Sequence, residues 1–250
     1  VDADAVDATS ILFTQNVGQD ESGARFSVRG TAGTIFFADD AIWISIAQAP
    51  ELINGRPALS QDQKSAPREI ANVRLTFVGA NPKATVVGIQ PVKAAVSFFS
   101  GLNAAAWQAG VPTFAGIRYQ GLYPNLDLEI TSQHGDWVWK LVPANGASGQ
   151  SVTPGDLARI RLRLEGQDKV ELNAAADEFG FATRHGSPVL PLLDISGLSF
   201  ANGQARSEVA ALQAHVEKDE IVTPFKARRG GHLLASKGLF RMLGADQLVR

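Results

Sequence analysis

Apolar and polar residues alternate with a period of two along most of this chain, which is the pattern of strands with one buried face. Arg25-Phe26-Ser27-Val28-Arg29 alternates and is followed by Gly30 and Gly33. Thr34 to Phe37 and Ile42 to Ile46 flank Asp39-Asp40, which predicts a hairpin turned at the two aspartates. Val73, Leu75 and Phe77 fall on one strand face, with Arg74 and Thr76 on the other. The run stops at Gly79-Ala80-Asn81-Pro82, and Ala84 to Val87 is predicted as the returning strand.

The second half repeats the pattern. Leu126, Leu128 and Ile130 alternate with Asp127 and Glu129, and Trp137, Trp139 and Leu141 alternate with Val138 and Lys140. Ile160, Leu162 and Leu164 alternate with Arg159, Arg161 and Arg163, and Gly166 closes that strand. Val170 and Leu172 open another, and Phe179 and Phe181 mark one more. About ten short strands with frequent turn signals predict an all-β fold, a large antiparallel β-sandwich-like domain. Two regions depart from the pattern. Asn103 to Gln108 reads as one helical turn, with Asn103 as its N-cap. Ser207 to Glu217 places Val209, Leu212 and Val216 on one helical face, which predicts an amphipathic helix.

These signals divide the chain into an N-terminal arm (1–11), a β-sandwich domain (12–204, with room for two packed sub-sandwiches meeting near 90–110) and a short helical, basic C-terminal tail (205–250). From Lys226 to Arg250 the tail carries six Lys or Arg against Asp246. The opening VDADAVDATS has the acidic, small-residue texture of a processed mature end.

Composition narrows the function classes. A hydrophobic content of 45% in 250 residues supports a sizeable core. The net charge of -2 speaks against a dedicated nucleic-acid binder, and no apolar run has the length of a transmembrane helix. Zero cysteines remove disulfides and thiolate chemistry, and lean towards an exported protein whose core needs no staples.

Five blocks in order resemble the β-rich domain at the N-terminus of bacterial SBBP-repeat (β-propeller-repeat) proteins. They are Leu12 to Gln19 (LFTQNVGQ); Arg25-Phe26 with Arg29-Gly30 and Gly33 to Phe37; Val73 to Pro82; Trp107 through Val111-Pro112-Thr113 and Tyr119 to Pro124 to Asp127-Leu128; and Ile160 to Gly166. The resemblance spans roughly residues 12 to 195. It implies a secreted or cell-surface protein in which this domain precedes repeat modules, and it supplies no established catalytic residues to carry over. The chain departs from that pattern after the β-domain, where the basic tail stands in place of repeats.

Several constellations are candidates for binding. Tyr119, Tyr123 and Asp127 offer an aromatic platform with a carboxylate, as in sugar binding; the competing reading is a turn at Tyr123-Pro124-Asn125 whose rings pack the core edge. Trp137 and Trp139 lie on one strand face about 7 Å apart and suit either ring stacking or core packing. Arg159, Arg161 and Arg163 form a basic stripe able to meet anionic groups of a surface polymer, or a solvated face that discourages edge pairing. His134, His185, His215 and His232 lack metal-ligand spacing, and neither a nucleophile elbow nor a phosphate loop is present. The reading is therefore a non-enzymatic structural or adhesive β-domain, without cofactor or metal. Its expected partners are itself or other cell-surface proteins, joined through sheet edges or terminal segments. The alternative is a carbohydrate-binding or carbohydrate-active sandwich with polysaccharide as partner.

Overall fold

The computed structural model of the chain describes residues 11–20, 23–30, 32–49, 52–53, 56–57, 68–98, 107–133, 135–144, 152–173, 177–200, 207–209 and 211–226. The N-terminal arm apart from its last residue, most of the Asn103 to Gln108 turn, and the basic tail from 227 onward lie outside these residues. Within them the strands are β1 (Phe13–Gln15), β2 (Phe26–Gly30), β3 (Gly33–Phe37), β4 (Ala41–Ala47), β5 (Leu52–Ile53), β6 (Arg56–Pro57), β7 (Ile70–Val78), β8 (Thr85–Phe98), β9 (Gln108–Tyr123), β10 (Leu126–Gln133), β11 (Asp136–Pro143), β12 (Arg161–Glu165), β13 (Lys169–Leu172), β14 (Glu178–Ala182), β15 (Val189–Pro191), β16 (His215–Glu217) and β17 (Glu220–Val222). One short helix, α1 (Pro154–Ala158), interrupts them. It starts at a capping box, in which Thr153 accepts from the Asp156 backbone and Asp156 accepts from the Thr153 backbone.

The fold is all-β and mostly antiparallel. Among the described residues, twelve strands form one sheet in the order β11-β10-β9-β1-β2-β3-β4-β7-β12-β17-β16, with β8 on the other side of β9. The sheet folds over so that β7 and β9 face each other, with the Phe77 and Tyr119 rings 5.5 Å apart. It is also tied shut on one side. Leu141 and Asp194 exchange backbone bonds with each other's strand (Leu141 N to Asp194 O, 2.9 Å; Asp194 N to Trp139 O, 3.1 Å), and Leu193 pairs in the same way with the segment after β17 (Leu193 N to Pro224 O, 2.8 Å; Lys226 N to Leu193 O, 3.1 Å). The chain after β15 thus links the β11 edge to the β17 side, and leaves fewer free edges than an open sandwich.

The Ala84 to Val87 strand does not return against β7. It becomes the start of β8, which pairs with β9 from Thr85↔Gln120 to Phe98↔Gln108. The Gly79 turn carries the chain across, because Asn81 N bonds Leu122 O (2.9 Å) and the Asn81 side chain bonds Gly121 O (3.0 Å), both on the β9 side. The β8–β9 ribbon is closely packed at Gly88 and Gly116. A Cβ on Gly88 would lie 2.4 Å from the Phe114 ring, and one on Gly116 2.9 Å from the Ile130 carbonyl.

One hydrophobic core runs from Ile11 to Phe225. Of the 90–110 region where two sub-sandwiches were expected to meet, the described residues are the end of β8 and the start of β9, which pair with each other (Phe98↔Gln108). The β-domain also extends past 204, since Ile221, Val222 and Phe225 are buried and β17 pairs with β12. Of the described residues in the helix expected over Ser207 to Glu217, 207–209 and 211 are helical, and His215–Glu217 is strand. The reason is a tight hairpin: Glu217 pairs with Glu220 around Lys218-Asp219, with Lys218 at φ 57°. Val216 gains a ladder partner in Ile221, which an isolated helix face would not supply. No helix of the described residues is long and apolar enough to cross a membrane.

Candidate functional site

The β9–β10 hairpin holds Tyr119, Tyr123 and Asp127. Its turn falls at Pro124-Asn125 as the sequence predicts, with Asn125 at φ 61°. Tyr119 is fully buried. Burial, and after it the negative charge of Asp39 and Asp40, pushes its phenol well above the ordinary range. Tyr123 is also buried and donates to the Val78 carbonyl at 3.3 Å, and burial raises its phenol too. Asp127 points away from the core yet is buried, and accepts the Gly121 N–H at 2.7 Å. Gly121 has φ 61°, so this bond holds a left-handed bend across the register shift between Leu126 and Leu128. Neither ring has an open face for a ligand, and the carboxylate ties the hairpin.

Trp137 and Trp139 sit in the core, 2% and 1% exposed. They belong to a continuous run of ring contacts, Phe13–Phe37 (5.4 Å), Phe37–Trp137 (5.8 Å), Trp137–Trp139 (5.4 Å) and Trp139–Phe179 (6.4 Å). Trp139 Nε1 donates to the Pro191 carbonyl at 2.8 Å. The two indoles join the layers and present no stacking surface.

The basic stripe is shorter than expected. Arg159 is the C-cap of α1 and lies off the strand. Arg161 and Arg163 do share a face of β12, but each meets glutamates of the β16–β17 hairpin: Arg161 pairs with Glu217 (3.0 Å) and Glu220 (3.6 Å), and Arg163 Nε donates to Glu220 at 2.8 Å. These pairs are exposed, where such contacts are worth little stability. A shallow groove beside them is lined by Arg163, Glu165, Glu217, Lys218, Asp219 and Glu220. Acids outnumber bases there, which does not suit an anionic polymer.

Glu129, on the outer face of β10, is flanked by Arg118 on β9 and Lys140 on β11 in one cross-strand row. Arg118 Nε donates to it at 3.1 Å, and Lys140 Nζ lies 3.3 Å away. Burial alone would raise this carboxyl. The Arg118 hydrogen bond and the charges of Arg118 and Lys140 outweigh it and hold Glu129 below the ordinary range. Asp127 lies 3.7 Å from Arg118. The lowered Glu129 carboxyl thus sits as an anion between the two cations.

Two rings are open to solvent among the described residues, Trp107 and Trp43, and sequence reasoning passed over Trp43. It is 37% exposed on the outer face of β4. A signal was present: Ile42, Ile44 and Ile46 take the buried phase, so Trp43 occupies a polar-phase position. Cross-strand register puts it in a row across five strands, Ser27–Phe36–Trp43–Arg74–Glu165. The Arg74 guanidinium lies 5.5 Å from the Trp43 ring centroid. It is held by Asp40 (2.8 Å) and Glu165 (3.4 Å). Two residues along the sheet, Ser45 donates to the Asn72 side chain at 2.7 Å.

Comparison with known families matches residues 13–189 to a domain of unknown function, DUF7948, and the chain belongs to that family. No curated protein and no solved structure matches it.

Proposed function

We propose that this domain is a non-enzymatic structural and adhesive module of an exported or cell-surface bacterial protein. The observation that carries the reading is the employment of its chemistry-bearing side chains. Asp127 ties a hairpin, Glu129 neutralises two cations, Trp139 joins β11 to β15, and Arg161 and Arg163 are matched by glutamates. The five blocks similar to SBBP-repeat proteins, together with the absence of cysteine from the sequence, support the exported setting.

Self-association is assigned to the terminal segments 1–10 and 227–250 rather than to the long β8 edge. That edge carries Pro91, Lys93 and two register shifts, and its Val86 N–H is capped by Asp39 at 3.0 Å. Such features discourage strand addition. Sedimentation velocity on the full chain and on chains starting at 11 or ending at 226 tests the assignment. Concentration-dependent association that falls in one of the shortened chains is the expected result. An unchanged sedimentation coefficient in both would overturn it. Hydrolysis of glycoside or ester substrates that Glu129→Gln abolishes would overturn the non-enzymatic reading.

A further inference from the structure

We propose that the outer face of β3, β4 and β7 is a binding platform for a neutral, hydroxyl-rich polysaccharide, with Trp43 as the stacking ring. This gives the adhesive module a ligand class, and it stands on a different set of residues from those that support the non-enzymatic reading.

The surface has the parts such a ligand needs. A pyranose ring has an apolar C–H face that packs on an indole and a rim of hydroxyls that both donate and accept. Trp43 lies on the outward strand face, and Phe36 is its partly exposed cross-strand neighbour. Hydrogen-bonding groups surround the indole at the pitch of the sheet, about 5 Å across strands and about 7 Å along them. These are Arg74 on the next strand, Asp40 beyond the end of β4, and the Ser45–Asn72 pair two residues along. They supply donors (the Arg74 guanidinium and the Asn72 amide) and acceptors (the Asp40 carboxylate and the Ser45 oxygen), matching a hydroxyl's two roles. The groups are also held in place before any ligand arrives. Arg74 is fixed by Asp40, by Glu165 and by the ring itself, and Ser45 is fixed by Asn72. Prearranged side chains lose little freedom on binding.

Charge selects among occupants. The Arg74 cation is already matched by two carboxylates, Asp40 and Glu165, so the patch gives an anionic polymer no free cation and meets it with acid. The apolar part consists of two partly exposed rings, far short of the roughly 800 Å² per partner of a stable protein interface. A second copy of the chain is therefore a poorer fit than a sugar chain.

Affinity electrophoresis of the full chain in native gels tests this. The gels would contain hydroxyethylcellulose, laminarin, dextran or galactomannan as neutral polymers, and alginate or heparin as anionic ones. The expected result is retardation by at least one neutral polymer and by neither anion. Trp43→Ala should weaken that binding by about tenfold or more, the loss of a central anchor. Trp43→Tyr should retain most of it, and Trp107→Ala, another exposed ring, should leave it unchanged. Thermal melts of each variant separate lost binding from lost folding. The proposal is overturned if no neutral polymer retards the chain, if only the anions do, or if a folded Trp43→Ala binds as the wild type does. Failure here leaves the self-association and Glu129 tests untouched.

Discussion

The indole N–H of Trp139 and the carbonyl of Pro191 meet at 2.8 Å across 52 residues of chain, buried where β11 meets the end of β15 and the segment that follows it. The same segment is laced to β11 by the Asp194 backbone bonds. Trp139 therefore holds one end of the closure that turns an open sheet into a shut one. Trp139→Phe keeps a ring in the stack but leaves the Pro191 carbonyl buried without its donor. A loss of about 1–3 kcal/mol is expected, read as a lower urea midpoint at unchanged slope.

Tyr119 and Tyr123 are the chain's two tyrosines. Both phenols are raised by burial, so the fold favours their protonated forms. That contribution is fully present below the ordinary tyrosine value of about 10 and is lost as pH rises above it. Alkaline titration followed at 295 nm should show no phenolate while the chain stays folded. Both tyrosines should then ionise together with the loss of far-UV signal. A reversible phenolate step in the folded protein would contradict the burial of these rings.

The last described elements are the strand pair at 215–222 and the segment through Lys226. A chain stopped at 226 is expected to melt cooperatively. A chain stopped at 214 loses Ile221, Val222 and Phe225 from the core and exposes the β12 edge. It is expected to aggregate or to lose its cooperative transition. Calorimetry of the two shortened chains side by side makes the comparison.

Much of this fold was legible because each strand has one buried face. Leu75 and Phe77, Leu128 and Ile130, and Leu162 and Leu164 are buried in the phase their alternation predicts. Pairing partners were not legible, since period two carries no information about which strand lies alongside. β7 and β12 pair across the intervening β8 to β11, and β8 leaves β7 for β9. The 207–217 segment fits both periods, and the Lys218-Asp219 turn decided between them. Trp137 and Trp139 were ambiguous because their neighbours Val138 and Val142 are apolar as well, so either face was a candidate for burial. Thr153-Pro154-Gly155-Asp156 carried a helix-start signal that the strand pattern on either side overshadowed.

Glu129 gives the fold a dependence on acid. Its carboxyl is held low by Arg118 and Lys140 against the opposing effect of burial, so the folded state favours the ionised form. The stabilisation is present above the ordinary glutamate value of about 4 and is lost as pH falls through the lower folded value. Glu129→Gln should be less stable than the wild type at pH 7, and the gap should close in acid. Urea titrations at pH 7 and pH 3 give the two gaps, and equal gaps would contradict the ion pairing.

The central claim is that Trp137 and Trp139 are core and that Trp43 and Trp107 are the indoles offered to solvent. Acrylamide quenching of tryptophan emission tests it most directly, in the wild type and in a Trp43→Phe/Trp107→Phe double variant. With Trp137 and Trp139 as the remaining emitters, blue-shifted emission that resists quenching is expected, while the wild type shows an accessible fraction. Emission from the double variant as quenchable as that of free tryptophan would contradict the claim.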